Sequence, residues 1–506
     1  VRRVVSSGAM AAVGAAALML SGCSLFAPPM VSTPTLEPVD KALERFYHQE
    51  LDWKKCADGI FCATAIAPMD WSDPDGETIE LALASQPATG SSSLGSVLVN
   101  PGGPGASGRD FVLDSVDFAT TDRLQGSYDI VGFDPRGVGR SSAVSCHDDP
   151  RQLDAYLYDI APGAPGSDAW IDELRASAAD FGEACLEHTG PLLEFVDTES
   201  AARDLDMLRA VLGDEKLNYL GYSYGTFLGA TYADLFPENT GRLVFDGALD
   251  PATSSLDVTV TQAKGFENAM RAYLASCLGD RECPFGGSVD SSMQQIRQLL
   301  DQLDASPLRH SDGRMLGSST MFTAIILPLY NEGNWPLLNQ LFTEVFSGNA
   351  DTAFFLADYY NDRTEDGEYS TNQTEAFLAI NCLDYDDGDP DNDELRAEAA
   401  FLKQEAPIFG PQMSYGVTCA SWPFGSVRER VAIAAEGSSD ILVVGTTNDP
   451  ATPYVWAQNM ARQLQNGHLV THNGEGHTAY GSNDCVNKVV DDYFIDGTVP
   501  ASDPQC

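Results

Sequence analysis

Three side chains far apart in the chain have the types and settings needed for acyl-transfer chemistry. Ser223 sits in Gly221-Tyr222-Ser223-Tyr224-Gly225, a G-x-S-x-G pattern. Small residues there let a strand fold sharply into a helix, which exposes the hydroxyl and leaves the next backbone N–H free. The pattern alone recurs by chance as a bland Gly/Ser turn. Here Leu217–Leu220 reads as a strand before it, and a helical stretch follows to Leu235. That context makes Ser223 the candidate nucleophile. A serine hydroxyl needs a base, and the base needs an orienting carboxylate. On this kind of turn the chain order is Ser, acid, His. His477 lies in Asn473-Gly474-Glu475-Gly476-His477, a glycine-rich loop after the last strand-like run, and is the candidate base. His468 and His472 begin and end that run and have structural readings, with His472 the second choice for the base. Asp449 follows the buried-strand pattern Ile441–Gly445 and is the candidate acid. Its competing reading is a turn Asp before Pro450.

The oxyanion of such a reaction needs preorganised N–H donors. Tyr224 supplies one from its backbone. The loop Asn100-Pro101-Gly102-Gly103-Pro104-Gly105 follows another strand-like run and can supply the second. Gly103 is the first choice and Gly102 the alternative. No Gly-Lys-Ser/Thr follows, so this is not a phosphate-binding P-loop.

The elements that must position these groups are legible in outline. Thr78–Ala84, Gly95–Asn100, Tyr128–Phe133, Leu243–Phe245 and His468–Thr471 complete a set of strand-like runs. Continuous apolar runs suit strands buried on both faces of a mostly parallel sheet. Thr198–Leu212 reads as a helix, because Ala201, Leu205, Leu208 and Leu212 share one face. Asp197 or Thr198 can cap its start, and Gly213 ends it. From about Pro251 to Arg430 the alternation lapses. Ser291–Leu303 and Trp335–Phe346 look helical, and Val455–Leu464 does so after the strands return. The expected architecture is one α/β domain over 39–250 and 431–506, interrupted by a mainly helical insertion over 251–430. His310 falls in that insertion.

Composition narrows the function classes. The 506 residues carry 74 Asp plus Glu against 29 Lys plus Arg, a net charge of -45. So acidic a surface repels phosphate backbones and excludes nucleic acid as a partner. A hydrophobic share of 43% can fill a core, which excludes a disordered chain.

The N-terminal segment bears on location. Val1-Arg2-Arg3 precedes an apolar run to Leu20, then Leu20-Ser21-Gly22-Cys23. A basic start, a short apolar stretch and small residues describe an export signal over 1–22. Leu-Ser-Gly-Cys resembles the bacterial lipobox, which makes Cys23 the expected lipidation site and 23–38 a tether. The expected location is the outer face of the cell membrane, held by acyl chains. Ten cysteines remain, an even number in a chain expected to be exported, which suggests disulfides. Pairing sequence neighbours gives Cys56–Cys62, Cys146–Cys185, Cys277–Cys283, Cys382–Cys419 and Cys485–Cys506. No Cys-x-x-Cys spacing or Cys/His cluster supports a metal site, and no cofactor is expected.

The motifs as a set resemble a known family. Pro101–Gly105 (PGGPG), Asp134–Ser141 (DPRGVGRS), Gly221–Gly225 (GYSYG), Thr447–Pro453 (TNDPATP) and Gly474–His477 (GEGH) occur in order. They resemble the actinobacterial tripeptidyl aminopeptidase branch of the prolyl aminopeptidase-like serine peptidases, over roughly residues 40–506. The resemblance implies an α/β-hydrolase fold with a helical cap. It also implies release of short peptides from a free N-terminus, with Ser223, Asp449 and His477 as the triad. Prolyl aminopeptidases proper begin the oxyanion loop with His. Pro101 stands there, which points to the tripeptidyl branch. An exopeptidase must recognise the substrate's terminal ammonium, and carboxylates do this. Glu332 and Asp384 are the candidates, while Arg136 is expected to brace a loop. The rival reading is an esterase or lipase with the same triad. A third, a non-catalytic binding lipoprotein, fits poorly with so complete a set of groups.

Overall fold

The computed structural model describes residues 30–506. The export signal expected over 1–22, Cys23 and the start of the tether lie outside the described residues. Ten strands form one sheet: β1 (Met30–Val31), β2 (Asp52–Ala57), β3 (Ile60–Pro68), β4 (Thr78–Gln86), β5 (Ser96–Asn100), β6 (Asp129–Phe133), β7 (Leu217–Tyr222), β8 (Thr240–Asp246), β11 (Ile441–Asn448) and β12 (Gly467–Glu475). A separate hairpin in the insertion supplies β9 (Leu308–Arg309) and β10 (Met315–Leu316). The large sheet runs β1-β2-β3-β4-β6-β5-β7-β8-β11-β12. From β6 to β12 the pairing is parallel, and from β1 to β6 antiparallel. This is the α/β-hydrolase arrangement that the motifs imply.

The parallel strands are apolar because helices cover both faces. Every residue of β5 is buried, as is β11 from Ile441 to Thr446. The helix Thr198–Leu212 forms as its spacing predicts. Asp197 accepts the Ser200 N–H at its start, and Gly213 takes a left-handed conformation at its end. The antiparallel hairpin β2–β3 and the helices Pro150–Tyr158 and Asp168–Thr189 have no counterpart in the sequence reading.

The insertion is mainly helical and has its own core. Phe266, Met270, Leu300, Ile325, Phe342 and Phe354 are buried together there. One of its helices belongs elsewhere. Ala376, Ala379, Ile380 and Leu383 of Gln373–Asp384 pack into the core of the sheet domain. Bridges join Cys56 to Cys62, Cys146 to Cys185, Cys277 to Cys283, Cys382 to Cys419 and Cys485 to Cys506. The last of these holds the tail against β12. There the Thr471 N–H donates to the Pro504 carbonyl (2.9 Å) and the Cys506 N–H to the Thr471 carbonyl (2.7 Å).

Candidate active site

Ser223 sits between β7 and the helix Tyr224–Leu235 with φ 54° and ψ -123°. This backbone conformation is unfavourable for a residue with a side chain and is characteristic of strained functional turns. From Tyr219 to Ala233 every residue is buried except Ser223, which is partly exposed. The turn therefore presents one hydroxyl from an otherwise closed segment. Its N–H donates to the Asp246 carbonyl at 2.9 Å.

The oxyanion loop presses against this turn. A Cβ at Gly102 would lie 2.9 Å from the Ser223 Cβ and 3.2 Å from the Tyr224 nitrogen. Only glycine permits that approach. The Gly102 N–H is engaged by Asn100 Oδ1 at 2.9 Å, so Gly103 is the loop's next donor. Asp134 ties the loop down from behind. It accepts from the Ser107 hydroxyl and from the Arg109 and Arg140 N–H groups. Arg136 is fully buried and forms a two-pronged pair with Asp204 at 2.7 Å, with three carbonyls around it. It braces the loop, away from any open surface.

Asp449 and His477 meet at the ends of β11 and β12. The His477 Nδ1 lies 2.9 Å from Asp449 Oδ2 and 3.0 Å from Oδ1. Asp449 is 2% exposed and also accepts from the Ala451 and Thr452 N–H groups and the Thr452 hydroxyl. These donors fix the carboxylate while it orients the imidazole. Burial by itself would lower the proton affinity of His477. The charge and hydrogen bond of Asp449, helped by Asp246, overcome this and raise its pKa. The imidazolium that forms when serine gives up its proton is thereby stabilised.

The other histidines lie apart from this pair. His472 sits within β12, 3.3 Å from the Thr446 hydroxyl. His468 pairs with Asp440 at 2.7 Å near the surface. His310 lies in the cap between Asp312 and Asp351.

The two expected ammonium receptors occupy different settings. Asp384 is buried at 6% exposure, and its oxygens accept the Thr198 N–H (3.0 Å) and hydroxyl (2.6 Å). That hydroxyl also bonds the Tyr224 phenol. Burial pushes the Asp384 pKa up to about 7. Asp384 is thus a brace behind the nucleophile, which corrects the expectation that it meets substrate. Glu332 is exposed, on a short turn (Glu332–Asn334) two residues after Tyr330. Tyr330 packs against the base: its carbonyl accepts the His477 backbone N–H (2.8 Å), and its ring meets the imidazole edge-on at 5.4 Å.

Glu475 escaped the sequence reading although it lies inside the GEGH motif. One of its oxygens accepts from the Asn448 amide at 2.8 Å. The other is buried with no partner among the described residues. Burial raises its pKa, and the nearby charge of Glu332 adds to that. The segments that carry the two carboxylates meet at Gly476, where a Cβ would lie 2.9 Å from the Tyr330 carbonyl oxygen and 3.6 Å from the Asn331 Cα.

Comparison with known proteins places the chain in a family. The profile of a family described as TAP-like protein matches residues 406–506, which hold Asp449 and His477. The serine protease Hip1 of Mycobacterium tuberculosis is 35% identical, over 98% of this chain and 96% of its own length. The chain belongs to the tripeptidyl aminopeptidase-like serine hydrolases. Two further relatives widen the family. A tripeptidyl aminopeptidase of Streptomyces lividans is 30% identical over 90% of this chain and 86% of its own. A protein named carboxylesterase B, from M. tuberculosis, is 36% identical over 100% of this chain and 99% of its own.

Proposed function

We propose that this serine hydrolase is an aminopeptidase that releases short peptides, of tripeptidyl or similar size, from free N-termini. Ser223 attacks the scissile carbonyl while His477 takes its proton and Asp449 holds the imidazole. The tetrahedral oxyanion rests on the N–H groups of Tyr224 and Gly103. His477 returns the proton to the leaving amine, which departs and leaves an acyl-enzyme. Water, activated by the same base, then frees the acyl product.

The observation that carries the peptidase reading is that the segments bearing Glu332 and Glu475 meet at Gly476, the residue before His477. A bound ammonium would offset the negative charge that Glu332 places near Glu475. A neutral ester gains nothing from such a pair. The esterase reading is favoured by the relative named carboxylesterase B. The two separate in one assay set, with wild type and Ser223→Ala compared on free and N-blocked tripeptidyl anilides and on acyl esters. The expected result is cleavage of the free tripeptidyl anilide alone, lost in Ser223→Ala. Preference for esters or blocked peptides would overturn the peptidase reading.

The lipobox-like Leu20–Cys23 and the five disulfides support an exported, lipid-anchored form at the outer face of the membrane. Labelling with a radioactive fatty acid tests this. Label retained in Cys23→Ala would exclude it.

A further inference from the structure

We propose that Asp246 is a positioning residue, which sets the base and the nucleophile in register through its two ends. The inference rests on the triad assigned above. Asp246 closes β8, between the strand that leads to Ser223 and the strand that leads to Asp449. It is fully buried. Its backbone carbonyl accepts the Ser223 N–H at 2.9 Å. Its carboxylate accepts the Ala479 N–H at 3.0 Å and the Tyr480 N–H at 2.7 Å, both in the loop that carries His477. The next residue continues the contact. Gly247 has φ +68°, and a Cβ there would lie 3.0 Å from His477 Cε1 and 3.0 Å from the Thr452 hydroxyl. One dipeptide thus touches the nucleophile's backbone, the histidine loop and the imidazole.

The charge adds a second contribution. The ionisable groups that act on Asp246 are His477, Asp449 and the Tyr222 phenol. Burial pushes the Asp246 pKa up to about 6, so the carboxylate is mostly ionised at neutral pH. Its charge joins that of Asp449 in raising the His477 pKa. A group that only tied down a loop would have no such effect on the base.

The test compares Asp246→Asn and Asp246→Ser with wild type in kcat, KM, the pH profile of kcat/KM and labelling by a fluorophosphonate. A misplaced base costs up to about 100-fold. Asp246→Asn is expected to lose about 10–100-fold in kcat with KM nearly unchanged. The acid limb of its profile should move to lower pH, because removing a negative charge makes His477 less basic. Folded Asp246→Asn with unchanged kcat and an unmoved limb would overturn the inference. If that variant does not fold, the smaller Asp246→Ser decides by the same two readouts: lowered kcat with a shifted limb supports the inference, and wild-type kcat with an unmoved limb overturns it. The triad reading fails separately. In that case wild type would resist the fluorophosphonate, or Ser223→Ala would stay active.

Discussion

The sheet edge and the cap both hold His477, by different means. On the sheet side the contacts are charged and enclosed: Asp449 grips Nδ1 and Asp246 grips the following loop. On the cap side they are a single carbonyl and an aromatic edge from Tyr330, followed at once by exposed Glu332. Groups that must not move are buried in strand ends. The carboxylate proposed to meet the substrate, Glu332, stands on an exposed turn. Chemistry and selection are therefore separable here, and substitutions should separate them.

The largest effects belong to the sheet edge. Ser223→Ala should lower kcat by on the order of 10⁶, and Asp449→Asn by about 10⁴. In both, KM for a tripeptidyl anilide should hardly change. A large rise in KM would blur the division, because it would give the triad a share in binding.

The cap side should answer in the opposite sense. Replacing Glu332 and Glu475 together by Gln should raise KM for a free tripeptidyl anilide about tenfold, the scale of one lost charge contact. Any residual turnover of a simple ester should stay within about twofold. Equal losses on both substrates would show that the pair supports structure and not selection.

Tyr330→Ala touches the boundary between the regions. It removes the aromatic edge and keeps the backbone carbonyl that receives the His477 backbone N–H. A fall in kcat of about threefold to tenfold is expected, from looser orientation of the base. A loss as large as that of Asp449→Asn would make the cap a full part of the catalytic frame.

The smallest effect is on stability, and pH reveals it. Asp384 and Asp246 have folded pKa values of about 7 and about 6, above their ordinary 3.8. Between 3.8 and those values the folded state binds more protons than the unfolded state, so stability rises as pH falls through that window. A melting temperature about 2–4 °C higher at pH 5.5 than at pH 8 is expected. Asp384→Asn should flatten the dependence. Activity should move the other way, because His477 must be neutral to act as a base and its raised pKa puts the acid limb above pH 6.5. A melting temperature that fell along with activity would contradict the sign.

Much of this was legible in the sequence because the signals are local. The helix Thr198–Leu212 announces itself by spacing and by its two end residues. Ser223 and Gly102 lie in short motifs whose glycines have steric causes. Asp246 was not legible in that way. Its partners are 233 and 234 residues further on, and nothing in the run Leu243–Asp246 points to them. A buried strand that ends in Asp-Gly is the only local sign. Asp384 misled for the complementary reason. An acid near a cap helix end looks available until Thr198, 186 residues earlier, is seen to occupy it. The hairpin β2–β3 escaped because its outer strand is largely exposed and lacks an apolar run.

The tail pinned to Thr471 has a consequence for handling the protein. β12 is the last strand of the sheet, and a free edge invites pairing with another chain. Residues 504–506 shield part of that edge, and the Cys485–Cys506 bridge keeps them in place. The tail thus guards against clumping. A reducing buffer should first turn a clear solution into one that forms soluble aggregates, while the monomers left in it still cleave substrate.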